Sequence, residues 1–387
     1  MKWLLSKTKG DVWIWSVVGM LTMISVLAVY SSIGILAYQK GTSTLYYLAK
    51  HTMMIAAGLV LMYYTHKLPY KWYAGISKIA IIVALALLGL TYFIGVEIND
   101  AQRWIAIPGL GITFQPSDFA RLALFMFLAR QLSKKQETIK DFRKGFLPVF
   151  GAVMGVFVLI APANLSNALM IFGTSMLLML IGRVSFKQMA MVCGAGLLVL
   201  TMVVFFGPRR GVYMNRICAH SPTLCDQFNI EHKVKVDDTY QADQAKVAIA
   251  TGGLFGKGPG NSTQRNFLPS PYADFIFAII IEEYGIAGAV ILILLYLIFL
   301  FRSVRIVTRA PKAFGALLAT ALSFSLVVQA FSNMAVATGL FPVTGAALPL
   351  VSMGGTSILF TSIAFGIILS VSRDIEEMEK GAENDVA

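Results

Sequence analysis

Two neighbouring stretches of this chain carry side chains that could act on a bound substrate. The first, residues 252–262, is a glycine-rich loop with Lys257 and Ser262, and the second, residues 271–278, places Asp274 where a polar segment turns into a long apolar run. Glycines let the backbone approach a ligand closely, and successive free N–H groups form a concavity that binds anions. A nearby carboxylate could act as a general base on a hydroxyl group. Because an acid beside such an apolar run is costly unless it has a task, the pattern predicts a functional site in a membrane protein.

The composition of the chain is that of an integral membrane protein. Hydrophobic residues make up 57% of its 387 residues and charged residues only 13%, whereas a soluble domain typically carries about 25% charged residues. Mean hydropathy is +0.71, and several runs exceed the roughly 18 apolar residues that indicate a spanning helix. We therefore predict an all-α polytopic protein, with a single membrane domain over residues 1–373 and no attached soluble domain. About ten spans are expected, at 13–37, 46–65, 72–95, 116–131, 146–161, 167–183, 187–206, 275–301, 312–334 and 349–371.

Lysine and arginine residues set the orientation of these spans. With the N-terminus inside, the inside loops and tails carry most of these residues, whereas the short outside loops carry only Lys40 and Arg103. Positively charged loops stay in the cytoplasm, so both termini are predicted to be cytoplasmic. The same asymmetry accounts for much of the net charge of +12, so nucleic-acid binding need not be invoked. The N-terminal apolar run is too long for a signal peptide and is expected to be retained.

One connection, residues 207–273, is long, and this topology places it outside, between the seventh and eighth spans. Within it, residues 240–250 have the amphipathic pattern of a short helix lying near the membrane surface. A connection of this length inside a compact domain is usually functional. An anion site beside a general base on the outer face fits a sugar linked to a lipid phosphate, although glycine-rich loops between helices are more often plain turns. The acidic tail, residues 374–387, is predicted to be solvated and disordered.

The cysteines and histidines do not form a metal-binding pattern. Cys193 lies in an apolar run and is expected to be a packing residue. Cys218 and Cys225 share the outside loop, where oxidising conditions would let them form a disulfide; two free thiols are the alternative. The four histidines are scattered along the chain, and no metal ligands are predicted.

Four blocks of sequence lie in a fixed order along the chain. They are Ala-Gln-Arg-Trp-Ile (101–105) with Phe-Gln-Pro-Ser-Asp-Phe-Ala-Arg-Leu (114–122); Tyr240, Gln241 and Gln244 with Gly-Gly-Leu-Phe-Gly (252–256); Asn-Ser (261–262) through Leu-Pro (268–269), with Asp-Phe-Ile-Phe-Ala (274–278) and Glu-Glu-Tyr-Gly (282–285); and Asn333 with Phe-Pro-Val-Thr-Gly (341–345) and Leu-Pro-Leu-Val-Ser-Met-Gly-Gly-Thr-Ser (348–357). In residue types and order they resemble the SEDS family, the FtsW and RodA peptidoglycan polymerases. With the predicted spans they cover nearly the whole chain.

This resemblance implies a glycosyltransferase that polymerises lipid II on the outer face of the bacterial cytoplasmic membrane. It implies a class B penicillin-binding protein as transpeptidase partner. Membrane lipids are also expected to contact the protein. Residues 261–269 look more like FtsW, the division branch, than RodA, the elongation branch, so other divisome membrane proteins are also expected as partners. The chain departs from the family pattern where Asn164 replaces a usual Asp, and where Asp118 and Arg121 stand in place of Glu and Lys.

Two functions from other classes stay open beside the enzyme. The chain could be a transporter that moves lipid II across the bilayer, or a scaffold with a vestigial site. A transporter requires polar groups spread through the depth of the membrane. Here the candidate groups concentrate in the outside loop and at the outer ends of the helices, which favours an enzyme acting on exposed substrate. A divalent cation, Mg²⁺ or Mn²⁺, could bridge the substrate pyrophosphate and Asp274, but no set of acids demands one.

Asp274 matches the family's catalytic aspartate and is expected to be the general base, although an Asp here could instead cap the following helix. Arginines suit phosphate because their guanidinium groups bind it in a forked geometry, but each is equally expected in a plain surface contact. Asp118 and Arg121, three residues apart, could simply pair with each other. Polar residues within spans, Glu282 and Asn333 among them, could instead bridge helices. The residues expected to bind substrate are Arg103, Gln115, Asp118, Arg121, Arg210, Arg216, Gln244, Lys257, Ser262, Glu283 and Ser352.

Overall fold

A computed structural model of the protein describes residues 9–98, 101–107, 112–220 and 236–386. Most of these residues are helical. The α-helices are α1 (Val12–Ser32), α2 (Gly34–Gln39), α3 (Thr44–Lys67), α4 (Lys71–Ile94), α5 (Pro116–Lys134), α6 (Leu147–Ile160), α7 (Leu165–Ile181), α8 (Phe186–Phe206), α9 (Arg210–His220), α10 (Val236–Gly252), α11 (Ile276–Arg309), α12 (Ala313–Ala337) and α13 (Thr356–Val386). A π-helical turn, Phe142–Phe146, precedes α6, and a 3₁₀ turn, Gln264–Asn266, lies in the long connection before α11.

The predicted all-α membrane fold is confirmed, because each predicted span contains a helix. The span predicted at 349–371 begins too early, since α13 begins at Thr356, and the span predicted at 13–37 contains both α1 and α2. Within the described residues, eight helices are long and apolar enough to cross a membrane. The count of ten is not confirmed, since α7 is shorter than these eight and α5 is more polar. Large apolar side chains that a soluble protein would bury point outward instead, such as Phe93 at 87% exposed and Phe206 at 79%. This outward apolar surface is the one that lipid would cover.

Helices α12 and α13 form the centre of the bundle, and α8 lies at its periphery. In their most apolar windows, 72% and 67% of the residues of α12 and α13 are buried inside the protein, against 22% for α8. Small residues allow α13 to approach α3 closely. A Cβ added at Gly366 would lie 2.6 Å from the Met62 carbonyl oxygen, and one at Gly58 would overlap the Ser362 side chain. The glycines in these helices therefore determine how closely the two backbones pack.

Three short strands lie between α4 and α5, and the hydropathy pattern did not predict them. They are β1 (Val96–Ile98), β2 (Ala101–Ile107) and β3 (Ile112–Phe114), and they form an antiparallel sheet in the order β1-β2-β3. Ile105 pairs with Phe114 in the β2–β3 register. Strands this short leave too few alternating residues to stand out beside long apolar helices. The sheet matters because β2 carries Arg103 and Trp104 toward the centre of the molecule.

Helix α11 is broken near its N-terminal end, at Gly285, and the glycine-rich loop fills the break. Gly285 has a φ of 68° and a ψ of −168°, which no α-helix contains. The N–H groups of Lys257 and Gly258 donate to the carbonyls of Glu282 and Glu283, each at 2.9 Å. In return, Ile286 N–H donates to the Gly253 carbonyl at 3.0 Å. The loop thus satisfies the backbone groups that the break in the helix exposes.

The C-terminal tail differs from the expectation of disorder, because α13 continues through Val386. Contacts with the N-terminal segment hold its first part. Glu377 forms an ion pair with Lys9 at 2.9 Å, and Glu376 accepts a hydrogen bond from the Gly10 N–H at 2.8 Å. Lys380 pairs with Glu376 one helical turn away, at 2.6 Å. The acidic residues of the tail, which suggested a solvated coil, instead bind the N-terminal segment. They also support the helix through i,i+4 pairing.

Candidate active site

A cavity of about 350 Å³ lies where the sheet, the central helices and the segment before α11 meet. It collects five of the predicted site residues, which come from distant parts of the sequence. These five are Arg103, Gln115, Asp118, Arg121 and Asp274. The cavity is also lined by Trp104, Thr113, Asn164, Asn167, Met170, Ser270, Tyr272, Ala273, Gln329, Met353, Ser357 and the segments 344–347 and 354–355.

Asp274 lies at the end of the long connection, half-buried against this cavity. Helix α11 begins at Ile276 with Phe275 in the N-cap position, so the alternative role of Asp274 as helix cap is wrong. Its backbone is firmly held. The Asn333 side-chain amide donates to the Asp274 carbonyl at 2.9 Å, and the Ser352 hydroxyl donates to the Ala273 carbonyl at 2.6 Å. These bonds fix the main chain and do not occupy the carboxylate.

Arg103 and Asp274 face the same space above Gly345. A Cβ placed on Gly345 would lie 3.8 Å from Arg103 Nη1 and 3.8 Å from Asp274 Oδ2, and the residue has a φ of 68°. The irregular segment 341–355 therefore passes directly beneath both charged groups with no side chain between them. The segment includes residues 349–355, which were predicted to belong to the last span but lie before the start of α13 at Thr356.

Asp118 and Arg121 form a second polar group on the cavity wall, on the first turns of α5. Arg121 Nη2 lies 3.8 Å from Asp118 Oδ1, and both side chains are buried. Arg121 Nη1 also donates to the Gln329 side chain, whose amide donates to the Ala347 carbonyl at 2.7 Å. The pairing that the i,i+3 spacing predicted is present, and it borders the cavity as well. A charged pair that is also hydrogen-bonded to α12 provides a rigid wall for a ligand.

Lys257, Ser262 and Glu283, which were expected to bind substrate, lie in another cluster that does not line the cavity. Lys257 Nζ is 2.6 Å from Glu282 Oε1, and the same carboxylate accepts the Ser262 hydroxyl and the Thr263 N–H, the latter at 3.0 Å. Glu283 accepts from the Ser31 hydroxyl and from the Ser262 N–H at 3.3 Å. Both oxygens of Glu282 therefore have donors within the protein, whereas in the described part of the chain Glu283 Oε2 is buried without a hydrogen-bond partner.

The glycine-rich loop therefore does not form the anion-binding concavity that its composition suggested. Its N–H groups at positions 257 and 258 are bonded to helix carbonyls rather than open to a ligand. The glycines serve close packing instead, because a Cβ at Gly252, Gly256 or Gly285 would lie within 2.3 Å of a neighbouring backbone atom. The spacing of residues in a sequence cannot distinguish free N–H groups from paired ones.

Arg210, Gln244 and Ser352 lie outside the cavity lining. Arg210 is exposed on α9 and Gln244 is half-buried on α10, whereas the side chain of Arg216 lies outside the described part of the chain. Ser352 acts on the site through its bond to Ala273. The predicted helix at 240–250 is confirmed as part of α10. Cys218 is disulfide-bonded and Cys193 is free and exposed, so its expected packing role is wrong; Cys225 lies outside the described residues.

The structure adds cavity residues that sequence reasoning had not selected, notably Trp104, Asn167 and Gln329. A glutamine inside an apolar helix is a usable signal, since Gln329 is buried in α12 and needs partners. Asn164 caps α7, because its side-chain oxygen accepts the Asn167 N–H at 3.2 Å. Asn and Asp cap helices about equally well, so the departure from the family's Asp preserves the cap and removes one carboxylate from the cavity.

The ionisable side chains of the cavity lining are two acids, two guanidinium groups and one phenol. They are Asp118, Asp274, Arg103, Arg121 and Tyr272. Burial raises the pKa of the Tyr272 phenol above its ordinary value, so this group stays a neutral hydrogen-bonding residue at physiological pH. The guanidinium groups of Arg103 and Arg121 can bind phosphate oxygens, and the Asp274 carboxylate can take a proton from a hydroxyl. The cavity thus places two guanidinium groups, which are suited to phosphate, on the same lining as the carboxylate of Asp274.

Comparisons with known proteins agree with this arrangement. Residues 11–377 match the FtsW/RodA/SpoVE family, described as cell cycle protein. Stage V sporulation protein E of Bacillus subtilis (strain 168) is 31% identical over 371 residues, which cover 95% of this chain and 98% of that protein. A protein of Geobacter sp. (strain M18) named probable peptidoglycan glycosyltransferase FtsW is 32% identical over 359 residues, 91% of this chain and 94% of that one.

Solved structures share the fold at lower identity. A chain in a peptidoglycan synthase complex, solved to examine the coordination of polymerization and crosslinking, is 22% identical and superposes with a TM-score of 0.72, over 94% of this chain and 98% of that one. Rod shape determining protein RodA of Thermus thermophilus has a TM-score of 0.67 at 22% identity, over 94% and 97% of the two chains. The family match over residues 11–377, together with relatives more than 30% identical over nearly the whole chain, shows that this polytopic membrane protein belongs to the FtsW/RodA/SpoVE family.

Proposed function

We propose that this protein is a peptidoglycan glycosyltransferase that polymerises lipid II on the outer face of the bacterial cytoplasmic membrane during cell division. The observation that carries the proposal is the position of Asp274 and Arg103, which face one space above Gly345 in a cavity of about 350 Å³. Relatives named probable peptidoglycan glycosyltransferase FtsW support the activity and the division role. The lysine and arginine asymmetry supports cytoplasmic termini, which place Asp274 and the long connection outside.

In the proposed reaction, the 4-hydroxyl of one lipid-linked disaccharide attacks the anomeric carbon of the growing strand. The bond from that carbon to the undecaprenyl pyrophosphate breaks, and the new glycosidic bond is β, so the configuration inverts. The hydroxyl proton passes to the Asp274 carboxylate. The leaving pyrophosphate keeps the electron pair of the broken bond, and Arg103 stabilises its charge inside a half-buried site where such interactions are strong.

The cavity supports Arg103 and Arg121 as the phosphate-binding groups in place of the loop residues Arg210 and Lys257. Arg103 lines the cavity directly, and Arg121 lies on the same wall. Lys257 is already neutralised by Glu282 at 2.6 Å. For a basic residue to stabilise the leaving group it must reach the reacting centre, which Arg103 does through its place on β2.

A protein-held metal ion does not fit the site. In the described ranges, no group of three or more His, Cys, Asp or Glu side chains comes together in a way that could hold one. We therefore expect that any Mg²⁺ or Mn²⁺ used in the reaction arrives with the substrate pyrophosphate, and no step above depends on it.

We propose a class B penicillin-binding protein as the partner of this chain. The support is its similarity in fold to a chain of a peptidoglycan synthase complex that couples polymerization to crosslinking. Peripheral helices with exposed apolar faces, such as α8, are available for contact with a single-span partner in the membrane. Co-purification in detergent tests the pairing, and a monodisperse monomer in the presence of every such protein of the source cell would contradict it.

The experiment that tests the proposed activity uses the full chain, purified with and without the partner. It is incubated with lipid II, and the products are separated on a gel. Glycan strands that extend with time and depend on the protein are expected. In parallel, lipid II is enclosed in vesicles that carry the protein, and its movement between leaflets is measured. Movement of lipid II between leaflets without formation of glycan strands, in either preparation, would support the transporter function and overturn the proposed glycosyltransferase activity.

A further inference from the structure

A smaller chamber of about 80 Å³ borders the catalytic cavity and leads to an unexplained buried histidine. The chamber shares Thr113, Met353 and Gly355 with the cavity, and its far wall is α3. Helices α1 and α3 contribute no residue to the cavity lining itself. Yet α3 places His51 in this wall with 1% of its surface exposed. A histidine buried this deeply in a membrane helix needs a structural or functional reason.

The hydrogen bonds of His51 define which ring nitrogen carries a proton. Its Nε2 lies 2.8 Å from the Ser25 hydroxyl on α1, and that hydroxyl lies 2.8 Å from the Val351 carbonyl. A carbonyl can only accept, so the single Ser25 proton points to Val351. Ser25 must then accept from His51, which places the histidine proton on Nε2. The chain of donors runs in one direction, from His51 through Ser25 to Val351.

Val351 belongs to a turn whose backbone is strained. Its neighbour Leu350 has a φ of 60°, a left-handed conformation that non-glycine residues rarely adopt and that persists only where the surroundings hold it. The carbonyls on both sides of Leu350 are held. Tyr296 donates its hydroxyl to the Pro349 carbonyl at 2.6 Å, and Ser25 donates to the Val351 carbonyl. The two bonds oppose relaxation of the turn.

The same turn holds the residues immediately before Asp274. The Met353 N–H donates to the Tyr272 carbonyl at 2.9 Å, and the Ser352 hydroxyl donates to the Ala273 carbonyl at 2.6 Å. If the turn relaxed, both contacts would shift, and the carboxylate of Asp274 would move with its main chain. A displacement of about 1 Å at a reacting group can cost about 100-fold in rate.

We propose that His51 is a positioning residue for Asp274, acting through Ser25 and the strained turn at Leu350. The proposal rests on the proposed function of Asp274 as general base. It assigns to α1 and α3 a role in catalysis, although neither helix touches the cavity. His51 touches no reacting atom in this arrangement, and its contribution is to keep the turn, and with it the base, in place.

The direction of the hydrogen bonds provides a sharp test. His51→Gln can place an amide N–H near the position of Nε2 and donate to Ser25, whereas His51→Leu fills the space and cannot donate. With lipid II as substrate, we expect His51→Leu and Ser25→Ala to lower kcat by about tenfold or more with KM within about twofold of wild type. His51→Gln should stay within about threefold of the wild-type kcat. The kcat of the variant carrying both His51→Leu and Ser25→Ala should fall no further than that of Ser25→Ala alone, because both changes break the same chain of hydrogen bonds.

A matched control separates this role from the general effect of removing a buried histidine. His66 is also buried on α3, about 22 Å further along the helix, where its ring packs edge-on against Trp15 at 5.5 Å. His66→Leu should retain the wild-type kcat, and folded yield by size-exclusion chromatography is compared for all variants. Three results would each overturn the proposal. The first is an equal loss of activity in His51→Gln and His51→Leu, and the second is a change in KM alone. The third is a loss in the variant carrying both Ser25→Ala and His51→Leu that equals the sum of the two single losses.

The outcome also distinguishes this proposal from the proposed function. If Asp274→Asn is inactive while His51→Leu keeps the wild-type kcat, the positioning role is wrong and the general base stands. If Asp274→Asn polymerises lipid II at the wild-type rate, both proposals are wrong, because there is then no base for His51 to position.

Discussion

Replacing Asp274 by Asn tests the proposed mechanism most directly. The amide has nearly the size of the carboxylate but cannot take a proton from the attacking hydroxyl. The contacts that hold this segment, from Asn333 and Ser352, go to main-chain carbonyls and are unaffected by the change. We therefore expect normal membrane insertion and normal partner binding, with the loss confined to the chemical step.

The expected magnitude follows from the role of a general base. Positioned bases contribute typically about 10²–10⁴-fold, which corresponds to about 3–5 kcal/mol of activation free energy. With lipid II and purified protein, the rate of polymer formation on a gel should fall by this factor. KM should change little, because Arg103 and the rest of the cavity lining remain in place.

Asp243→Asn is the matched control for this experiment. It is the same chemical change on the same long connection, at an exposed residue that pairs only with Lys246 at 3.2 Å and lies outside the cavity lining. Its rate should equal that of wild type. Glycan strands made by the Asp274→Asn variant at the wild-type rate would refute the general-base assignment.

Three further predictions concern the cavity wall, the broken helix and the long connection. Arg103→Ala should lower kcat/KM by at least about tenfold in the lipid II assay, because it removes the charge that stabilises the leaving pyrophosphate; unchanged kinetics would exclude that role. Gly256→Ala should unfold at a lower temperature than Gly253→Ala in thermal melts. Both glycines have a positive φ, which costs an alanine about 1–2 kcal/mol, but only at Gly256 would the new Cβ also meet a backbone atom, at 2.2 Å. Equal melting temperatures of the two variants would contradict this packing. Cys218 should resist alkylation until a reductant is added, as judged by mass spectrometry, and full alkylation without reductant would contradict the disulfide.

The sequence predicted the membrane helices well because their signal is simple. Long apolar runs locate each helix. They do not show that residues 349–355 are irregular, because several of these residues are apolar and extend the run toward the N-terminus of α13. The small sheet between α4 and α5 was missed because its strands have only three to seven residues. The helical tail was missed because its acidic residues were considered without the basic N-terminal segment that pairs with them.

The candidate site was predicted only in part, and the reason is the same for each failure. Asp274, Arg103 and Arg121 line the cavity as expected. Lys257 and Glu283 also stand in the motifs, but they bind to other groups of the protein. A motif shows that a residue matters, whereas only the fold shows whether it faces a ligand or the protein interior.

The broken helix α11 has a consequence for exchanging parts between related proteins. Its backbone continues through hydrogen bonds to the glycine-rich loop, with Lys257 and Gly258 completing one end of the break and Ile286 the other. The long connection and the membrane helix are therefore one cooperative unit, although the bonded positions are 25 to 33 residues apart in the chain. A chimera that takes its outer loop from one relative and α11 from another should fail to insert correctly unless residues 252–258 and 282–287 come from the same parent. The natural boundary for such grafts lies before α10, not at the membrane surface.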